Sequence, residues 1–442
     1  MIPAEAILAL DALRAINADW ASGIDLHNEY LSSLFDQFGE EDMWLIIEDM
    51  LQHLDAYICA NPLAFSAPDF HDTVRCVLHE YFEGMQAFDT INFDLEADAL
   101  CQFCEALYFR HVHPPRECDG TFIRKPPNVL LIDAKLARIR AKPQPDQRTP
   151  EWYEFRHNLL TASNAWKAFD SQACRNQLIY EKCKPLVQCG PEKEYVNTAS
   201  PMHWGQKYEP VSRMIYEHLY KTKVADFGCL KHDTHAFLGA SPDGINVDPA
   251  SQRYGRMLEI KNIVNRDITG IPKKEYWIQM QLQMETADLN ECDFLETQFY
   301  EEGEGDHDSS NALMTGTMIY FMKDGRPHYE YEPIGSNTEA WFNDAMERNQ
   351  AHMWMKTIHW RLEKMSCVLV LRNKRWFQHA IPVLADVWQT VEKERANPLD
   401  QELRAPKRRP NAVTNTFMQN WLKNANPEPV NERKCLIDMD ML

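Results

Sequence analysis

The stretch from Phe237 to Val264 constrains this chain most. Two segments read as strands, Phe237 to Ala240 and Arg256 to Val264, and between them lie Ser241-Pro242-Asp243-Gly244 and a polar connection. In the second strand, Met257-Leu258-Glu259-Ile260-Lys261 alternates apolar and charged residues. Side chains alternate faces along a strand, so Leu258 and Ile260 point into a core while Glu259 and Lys261 share the other face. If Ile245 to Tyr254 turns back, as a hairpin or an irregular loop, Asp243 comes beside Glu259. Two carboxylates and a backbone carbonyl then form an all-oxygen site suited to Mg²⁺ or Mn²⁺ rather than zinc. Lys261 is placed to orient, or help deprotonate, a metal-bound water aimed at a phosphorus atom.

The neighbouring segments predict a mixed α+β core, a central mixed sheet flanked by helices. A helix from about Met202 to Tyr220 carries Glu209, a candidate third acid. A strand at Phe227 to Lys231 precedes the pair above. After it come a helix from about Lys273 to Ala287, a strand at Phe294 to Tyr300 and a hairpin turn around Lys323-Asp324-Gly325-Arg326. Helices from about Thr338 to Lys364 and Arg372 to Lys393 close the domain. Gln279, Gln281 and Gln283 fan across a helix, and Gln279 and Gln283, at i and i+4, form the pair sharing a face. Thr149-Pro150-Glu151-Trp152 has a capping residue, a first-turn proline and an acid, so a helix starts there and runs to about Leu160. Thr161-Ala162-Ser163 opens another. Arg156, the Thr161 and Ser163 hydroxyls and that helix start suggest a pocket for a terminal phosphate, to which Ser241 adds a hydroxyl.

The remaining regions are set by composition. The 442 residues carry 46 Lys+Arg against 66 Asp+Glu, a net charge of −20. That balance argues against a nucleic-acid binder until its location is counted. Residues 1–100 hold 20 acidic side chains and only two basic ones, Arg14 and Arg75, so almost all the excess sits there and the rest is close to neutral. Apolar spacing in Ile7, Leu8, Leu10, Leu13 and in Trp44, Leu45, Ile47, Leu51, Leu54 makes this a helical domain, residues 1–110. Residues 111–148, rich in proline and Lys/Arg, read as an exposed linker. Residues 149–395 form the main domain and 396–442 a flexible tail, with Lys407-Arg408-Arg409 as a candidate basic patch and Phe417, Trp421 and Leu422 as a candidate docking helix. No apolar run reaches the roughly 18 residues of a membrane span, and Met1 to Ser22 lacks a basic flank or a cleavage-like site, so membrane and secreted readings are set aside. The 12 cysteines fit reduced thiols in an intracellular protein. Cys101-x-x-Cys104 with His111, His113 and Cys118 has zinc-like spacing, but the two cysteines fall within a helical run, where buried thiols need no metal. Trp354, Met355, Trp360 and Met365 read as helical packing rather than a base-stacking platform.

In this order, these blocks resemble the PD-(D/E)XK nuclease superfamily, and within it the phage lambda exonuclease and YqaJ-like viral recombinase group. Arg156 with Thr161-Ala162-Ser163, Trp204-Gly205 to Glu209, Ser241-Pro242-Asp243-Gly244, Glu259-Ile260-Lys261 and Tyr276 to Met284 each match a block of that family. The resemblance implies a restriction-endonuclease-like core. By it, Asp243, Glu259 and the Ile260 carbonyl hold Mg²⁺ or Mn²⁺, as two ions, with Glu209 nearby, and Lys261 positions the water. Arg156, Ser163 and Ser241 hold a 5′-phosphate, and Gln279 approaches the scissile region. It further implies a DNA exonuclease that resects duplex ends 5′-to-3′ inside a host cell, leaving a 3′ single strand for an annealing protein, and relatives that form rings predict a homo-oligomer. The acidic N-terminal segment and the insertion Glu301 to Asp308 depart from the compact phage pattern. Two other readings stay open: a structure-directed endonuclease on the same core, and an acidic protein-binding or DNA-mimic module with a vestigial nuclease core.

Overall fold

The computed structural model describes residues 28–85, 93–118, 126–145, 149–186, 196–302, 312–397 and 404. The apolar run Ile7 to Leu13 and the tail features at 407–409 and 417–422 lie outside them.

Four helices come first: α1 (Glu29–Phe38), α2 (Glu40–Ala60), α3 (Phe70–Gly84) and α4 (Phe93–His111). In α2, Ile47, Leu51 and Leu54 are buried at helical spacing, whereas Leu45 points to solvent at 58% exposure. Cys101 and Cys104 are buried in α4, with Cys104 Sγ 3.9 Å from Met50 Sδ.

The expected linker is part of the fold. Arg116 is fully buried, donates to the carbonyls of Ser66 (3.4 Å) and Pro272 (2.5 Å), and accepts at its own carbonyl from Trp277 Nε1 (2.8 Å). Cys118 forms a β-bridge with Leu369. Next, α5 (Val129–Arg140) starts on Asn128, whose side chain accepts from Leu131 N–H, buries Leu136 and Ile139, and reaches Asp288 through Lys135 and Arg138. Buried apolar side chains run as one cluster from Leu31 through Trp277 to Val391. The described residues of the N-terminal helices therefore share a core with the main domain, where an exposed linker over residues 111–148 had been expected. Basic residues that suggested a linker, Arg116 and Lys135 among them, instead donate to backbone carbonyls of other segments.

The main domain contains α6 (Pro150–His157), β1 (Leu160–Thr161), α7 (Ala162–Ala165), α8 (Gln172–Cys183), α9 (Pro201–Tyr220), β2 (Val224–Ala225), β3 (Leu230–Lys231), β4 (Leu238–Ala240), β5 (Gly244–Asn246) and β6 (Met257–Asn262). It continues with α10 (Lys274–Ala287), β7 (Glu291–Glu301), β8 (Met314–Lys323), β9 (Arg326–Tyr331), α11 (Thr338–Arg348), β10 (Met353–Leu371) and α12 (Lys374–Ala396). Seven strands form a sheet in the order β2-β5-β6-β7-β10-β8-β9, in which only β6 and β7 run parallel, and β1-β4-β3 form a smaller sheet with β1 parallel to β4. The mixed α+β class holds. The β8–β9 turn at Asp324-Gly325 has positive φ at both residues, the hairpin geometry that Asp-Gly favours.

One expectation fails outright. The helix predicted from Thr338 to Lys364 ends at Arg348, and Met353 to Leu371 is a 19-residue strand paired with both β7 and β8. Ile358, Trp360 and Leu362 are buried at every second position, and Gly316, opposite Trp360, leaves room for the indole to lie across the backbone. Two long partners decide the matter over local helix propensity. Trp354 and Met355 are accordingly strand residues, half exposed, and not helical packing.

Candidate active site

The two faces of the large sheet position everything that follows. On one, α9 packs Tyr208, Val211, Ile215 and Tyr216 over Leu258, Ile260, Leu295, Phe299 and Trp360. On the other, α10 packs Ile278, Met280 and Met284 with Met257, Cys292 and Phe294. Glu259, one residue out of phase with Leu258 and Ile260, faces α10.

The connection does turn back as a hairpin. β5 runs antiparallel to β6 with Gly244 opposite Leu258 and Ile245 opposite Met257. A Cβ on Gly244 would collide with Val224 Cγ1, so glycine is required for this close approach. Asp243, just before β5, accepts at Oδ2 from the Ile260 N–H at 2.7 Å. A strand residue sends its N–H and C=O to the same side. Because β5 pairing stops at Leu258, the Ile260 carbonyl faces the same gap as Asp243.

Glu259 is completely buried. Its Oε1 accepts from Lys261 Nζ and from Gln279 Nε2 (2.8 Å), and its Oε2 accepts from Gln283 Nε2 (2.7 Å). Gln283 also donates to the Ser241 carbonyl at 3.1 Å, tying the helix to the turn before Asp243. Gln281 points elsewhere, donating to Leu371 O and accepting from Asn373 N–H. The i, i+4 reading of the glutamines is what the structure shows, and Gln283, not singled out as a site residue, is as close to Glu259 as Gln279.

A cavity of about 320 Å³ opens here, lined among others by Gly205, Glu209, Asp243, Ile260, Lys261 and Tyr276. Asn262 holds α9 in place over it: its amide donates to Gly205 O (2.8 Å), and its Oδ1 accepts from Ser212 and Thr297. Asn262 was not anticipated; its only signal was its position directly after Glu-x-Lys. The Tyr276 ring lies 5.0 Å from Lys261 Nζ.

The electrostatics are lopsided. Burial, then the charge of Glu259 and more weakly that of Glu209, hold the Asp243 carboxyl well above the ordinary range, against the pull of Lys261 and the Ile260 N–H. Partial loss of hydration and repulsion from Glu259 also raise Glu209, which is exposed to the cleft. Burial opposes the Lys261 ammonium, but Glu259 and Asp243 outweigh it and hold its pKa above the usual lysine value. Three carboxylates and one ammonium leave negative charge around the cavity, and Asp243 Oδ1 accepts nothing from the described residues. Hard oxygen donors with spare lone pairs and unbalanced negative charge fit a divalent cation such as Mg²⁺ or Mn²⁺. Among the described residues no three His, Cys, Asp or Glu side chains meet as a ligand set. Glu209 reaches the same cavity from α9.

The expected phosphate residues gather beside this cleft. β1 and β4 are parallel, Thr161 beside Gly239, so the Thr161-Ala162-Ser163 turn and the Ser241-Pro242-Asp243 turn leave the same end of the small sheet. Arg156 stacks on Trp152 at 4.6 Å, and its Nη1 donates to Ser241 Oγ at 3.4 Å. Ser163 Oγ is exposed and 3.5 Å from Thr161 Oγ1. The helix opened by Ala162 is one turn long, so its N-terminus adds little of the dipole that had been expected to hold an anion.

Residues 151–290 match the model of the YqaJ-like viral recombinase domain. An uncharacterized protein of Acanthamoeba polyphaga mimivirus is 27% identical over 317 residues, which cover 61% of this chain and 56% of that one, so the chain spans just over half the length of this relative. Among solved structures, the alkaline exonuclease LHK-Exo from Laribacter hongkongensis is similar over 58% of this chain and all of its own, at 19% identity and a TM-score of 0.35. A phage-related exonuclease from Haemophilus somnus is similar over 53% of this chain and 94% of its own, at 11% identity and a TM-score of 0.30. The matched residues 151–290 contain Arg156, Glu209, Asp243, Glu259, Lys261 and Gln279, so it is in this stretch that the chain is similar to the YqaJ-like viral recombinase domain.

Proposed function

We propose that this protein is a metal-dependent DNA exonuclease that resects duplex ends 5′-to-3′ and leaves a 3′ single strand for recombination or repair in a viral replication cycle. The observation that carries the reading is that Asp243, Ile260 and Lys261 line one cleft, with Glu259 buried beside it, bonded to Lys261 and held by Gln279 and Gln283. Asp243, Glu259 and the Ile260 carbonyl would hold Mg²⁺ or Mn²⁺, as one ion or two. When bound, the metal supplies charge stabilisation at the phosphate and acidifies a water. The remaining work falls to the chain. Lys261 holds a water beside the carboxylates and offsets part of their charge, while Gln279 and Gln283 fix the Glu259 carboxylate so that it need not reorganise. Glu209 faces the cleft from α9 and accepts protons from solvent or a bound water. Arg156, Ser163 and Ser241 receive the 5′-terminal phosphate, which sets where along the strand the scissile bond falls.

Duplex DNA ends are the proposed substrate, a single-strand annealing protein the proposed partner, and a ring-forming homo-oligomer the proposed assembly. Among the described residues no helix is long and apolar enough to cross a membrane. The test is a gel assay on linear and covalently closed duplex with Mg²⁺ titrated from zero. The expected result is metal-dependent shortening of the linear duplex from its 5′ ends, with the circle intact. A nicked circle selects the endonuclease reading, and no cleavage of either at any metal concentration rejects the enzyme.

A further inference from the structure

Helix α6, which carries Arg156, buries none of its eight residues. Only Trp152 and Phe155 give it a half-buried apolar edge, so its polar contacts weigh heavily in where Arg156 points. Besides His157 Nε2 on the Lys184 carbonyl (2.8 Å), they come from two cations on neighbouring helices. Lys182, in the last turn of α8 and 9% exposed, donates from Nζ to the Arg156 carbonyl at 2.9 Å. Arg395, in the last turn of α12, donates from Nη2 to the His157 carbonyl (2.8 Å) and from Nη1 to Asn158 Oδ1 (3.2 Å). The same guanidinium donates through Nε and Nη2 to the Lys182 carbonyl, at 2.9 and 2.7 Å. One lysine and one arginine thus cap the C-terminal carbonyls of α6 and are locked to each other. Beneath them α8 and α12 are joined by Arg175–Asp386 and by the Cys183 thiol on the Val391 carbonyl, so the caps rest on a firm base.

Charge is the second, independent observation. Arg156, Lys182 and Arg395 lie close together, and none of the three forms an ion pair with a described carboxylate. Burial, and then the charges of Arg156 and Arg395, lower the Lys182 pKa to about 8. In a chain with 20 more acids than bases, a cluster of three unpaired cations marks a place kept for an anion. A terminal phosphate monoester, which carries close to two negative charges near neutral pH, matches it better than the single charge of an internal phosphodiester.

We propose that Lys182 and Arg395 are positioning residues of the 5′-phosphate pocket: they hold the end of α6 so that Arg156 meets Ser241, and their charges favour the terminal monoester over an uncapped end. This rests on the reading of Arg156, Ser163 and Ser241 as the phosphate pocket.

The experiment compares kcat/KM of the full-length protein on linear duplexes with 5′-phosphate and 5′-hydroxyl ends. Wild type is expected to prefer the phosphate. Lys182→Met should lower that preference about tenfold, the scale of one charge-assisted contact, mainly through KM, and Lys182→Arg should restore part of it. Arg156→Ala combined with Lys182→Met should lose less preference than the two single losses together, since part of the Lys182 effect passes through Arg156. Lys184→Met, an exposed lysine stacked on Tyr180, should keep the preference. Arg395→Gln carries the same expectation if Lys182→Met does not fold. If Arg156→Ala loses the preference while folded Lys182→Met or Arg395→Gln keeps it, the positioning role is wrong and the pocket stands. If wild type digests both ends equally, the pocket itself is wrong and the positioning role falls with it.

Discussion

Adjacent strands of one sheet bury two carboxylates in opposite ways. Glu259 on β6 faces α10, and Asp293 on β7, paired beside Leu258, faces α9; neither exposes more than 1% of its surface. Asp293 is over-matched: Arg253 and Arg256 both pair with it, Tyr216 donates from its hydroxyl at 2.6 Å, and Arg256 goes on to Glu291. Glu259 is under-matched, with a single ammonium shared among three acids and neutral amides making up its other bonds. The first arrangement has its charge settled within the protein and is closed. The second is left negative and open on a cleft. That difference in balance, not the burial itself, separates a structural ion cluster from a site that awaits a ligand.

The same substitution at both places should therefore have opposite effects. Asp243→Asn keeps an acceptor for the Ile260 N–H and removes one charge from the crowded cluster. Cleavage of linear duplex should fall by about 10³-fold or more, on the scale of losing a preorganised electrostatic contact in an active site, while the melting temperature holds or rises. A variant that cleaves like wild type, or that unfolds, would remove the distinction. Asp293→Asn should do the reverse. Partly buried Arg253 loses its carboxylate and buried Arg256 is left with Glu291 alone, a cost of about 3 kcal/mol, seen as a lower urea midpoint, with cleavage at a temperature where the protein stays folded little changed.

The under-matched cluster can be read from the chain because its parts are close in sequence. Alternation in Leu258-Glu259-Ile260-Lys261 and one short hairpin place Asp243, Glu259 and Lys261 almost without reference to the rest of the fold. The i, i+4 pairing of Gln279 and Gln283 needs only helix geometry. The over-matched cluster draws Tyr216, Arg253 with Arg256, and Asp293 from three separate segments, and no local pattern announces such an assembly. Distance likewise hid the role of residues 111–148, since Arg116 meets Pro272 more than 150 residues along the chain. β10 was misread for a related reason: Met353 to Lys364 has residues at home in a helix, and only its pairing with β7 and β8, settled far away in sequence, makes it a strand.

A third way to bury a titratable group is to keep it neutral. His113 is 8% exposed, stacks on Phe65 and contacts the Pro114 carbonyl through Nδ1 at 2.8 Å. Burial first, and then Arg375, lower its pKa to about 4, against smaller upward effects of Pro114 and Asp55. Since the folded value lies below the unfolded value near 6.5, the unfolded chain binds the proton first as pH falls. Stability is then complete above about pH 6.5 and declines towards pH 4, by about 3 kcal/mol for this group. Half-buried His232, also lowered to about 4, adds to the slope. Urea midpoints measured from pH 7.5 to 4 should fall, and His113→Phe should flatten part of that fall. An unchanged slope would place the acid sensitivity elsewhere.

The finest form of the comparison lies within one helix. Gln281 and Gln283 are both buried on α10, two residues apart. Gln281 satisfies the backbone alone, between Leu371 O and Asn373 N–H, and so joins the end of β10 to the start of α12. Gln283 satisfies Glu259 and the Ser241 carbonyl. Gln281→Met leaves a buried donor and a buried acceptor without a partner and should cost about 2 kcal/mol of stability, with kcat unchanged in the folded fraction. Gln283→Met frees the Glu259 carboxylate to turn, and should lower kcat about tenfold with a smaller loss of stability. If the two variants shift melting temperature and kcat in the same proportion, α10 supports the site only as a whole, and Gln283 has no role of its own in holding Glu259 for chemistry.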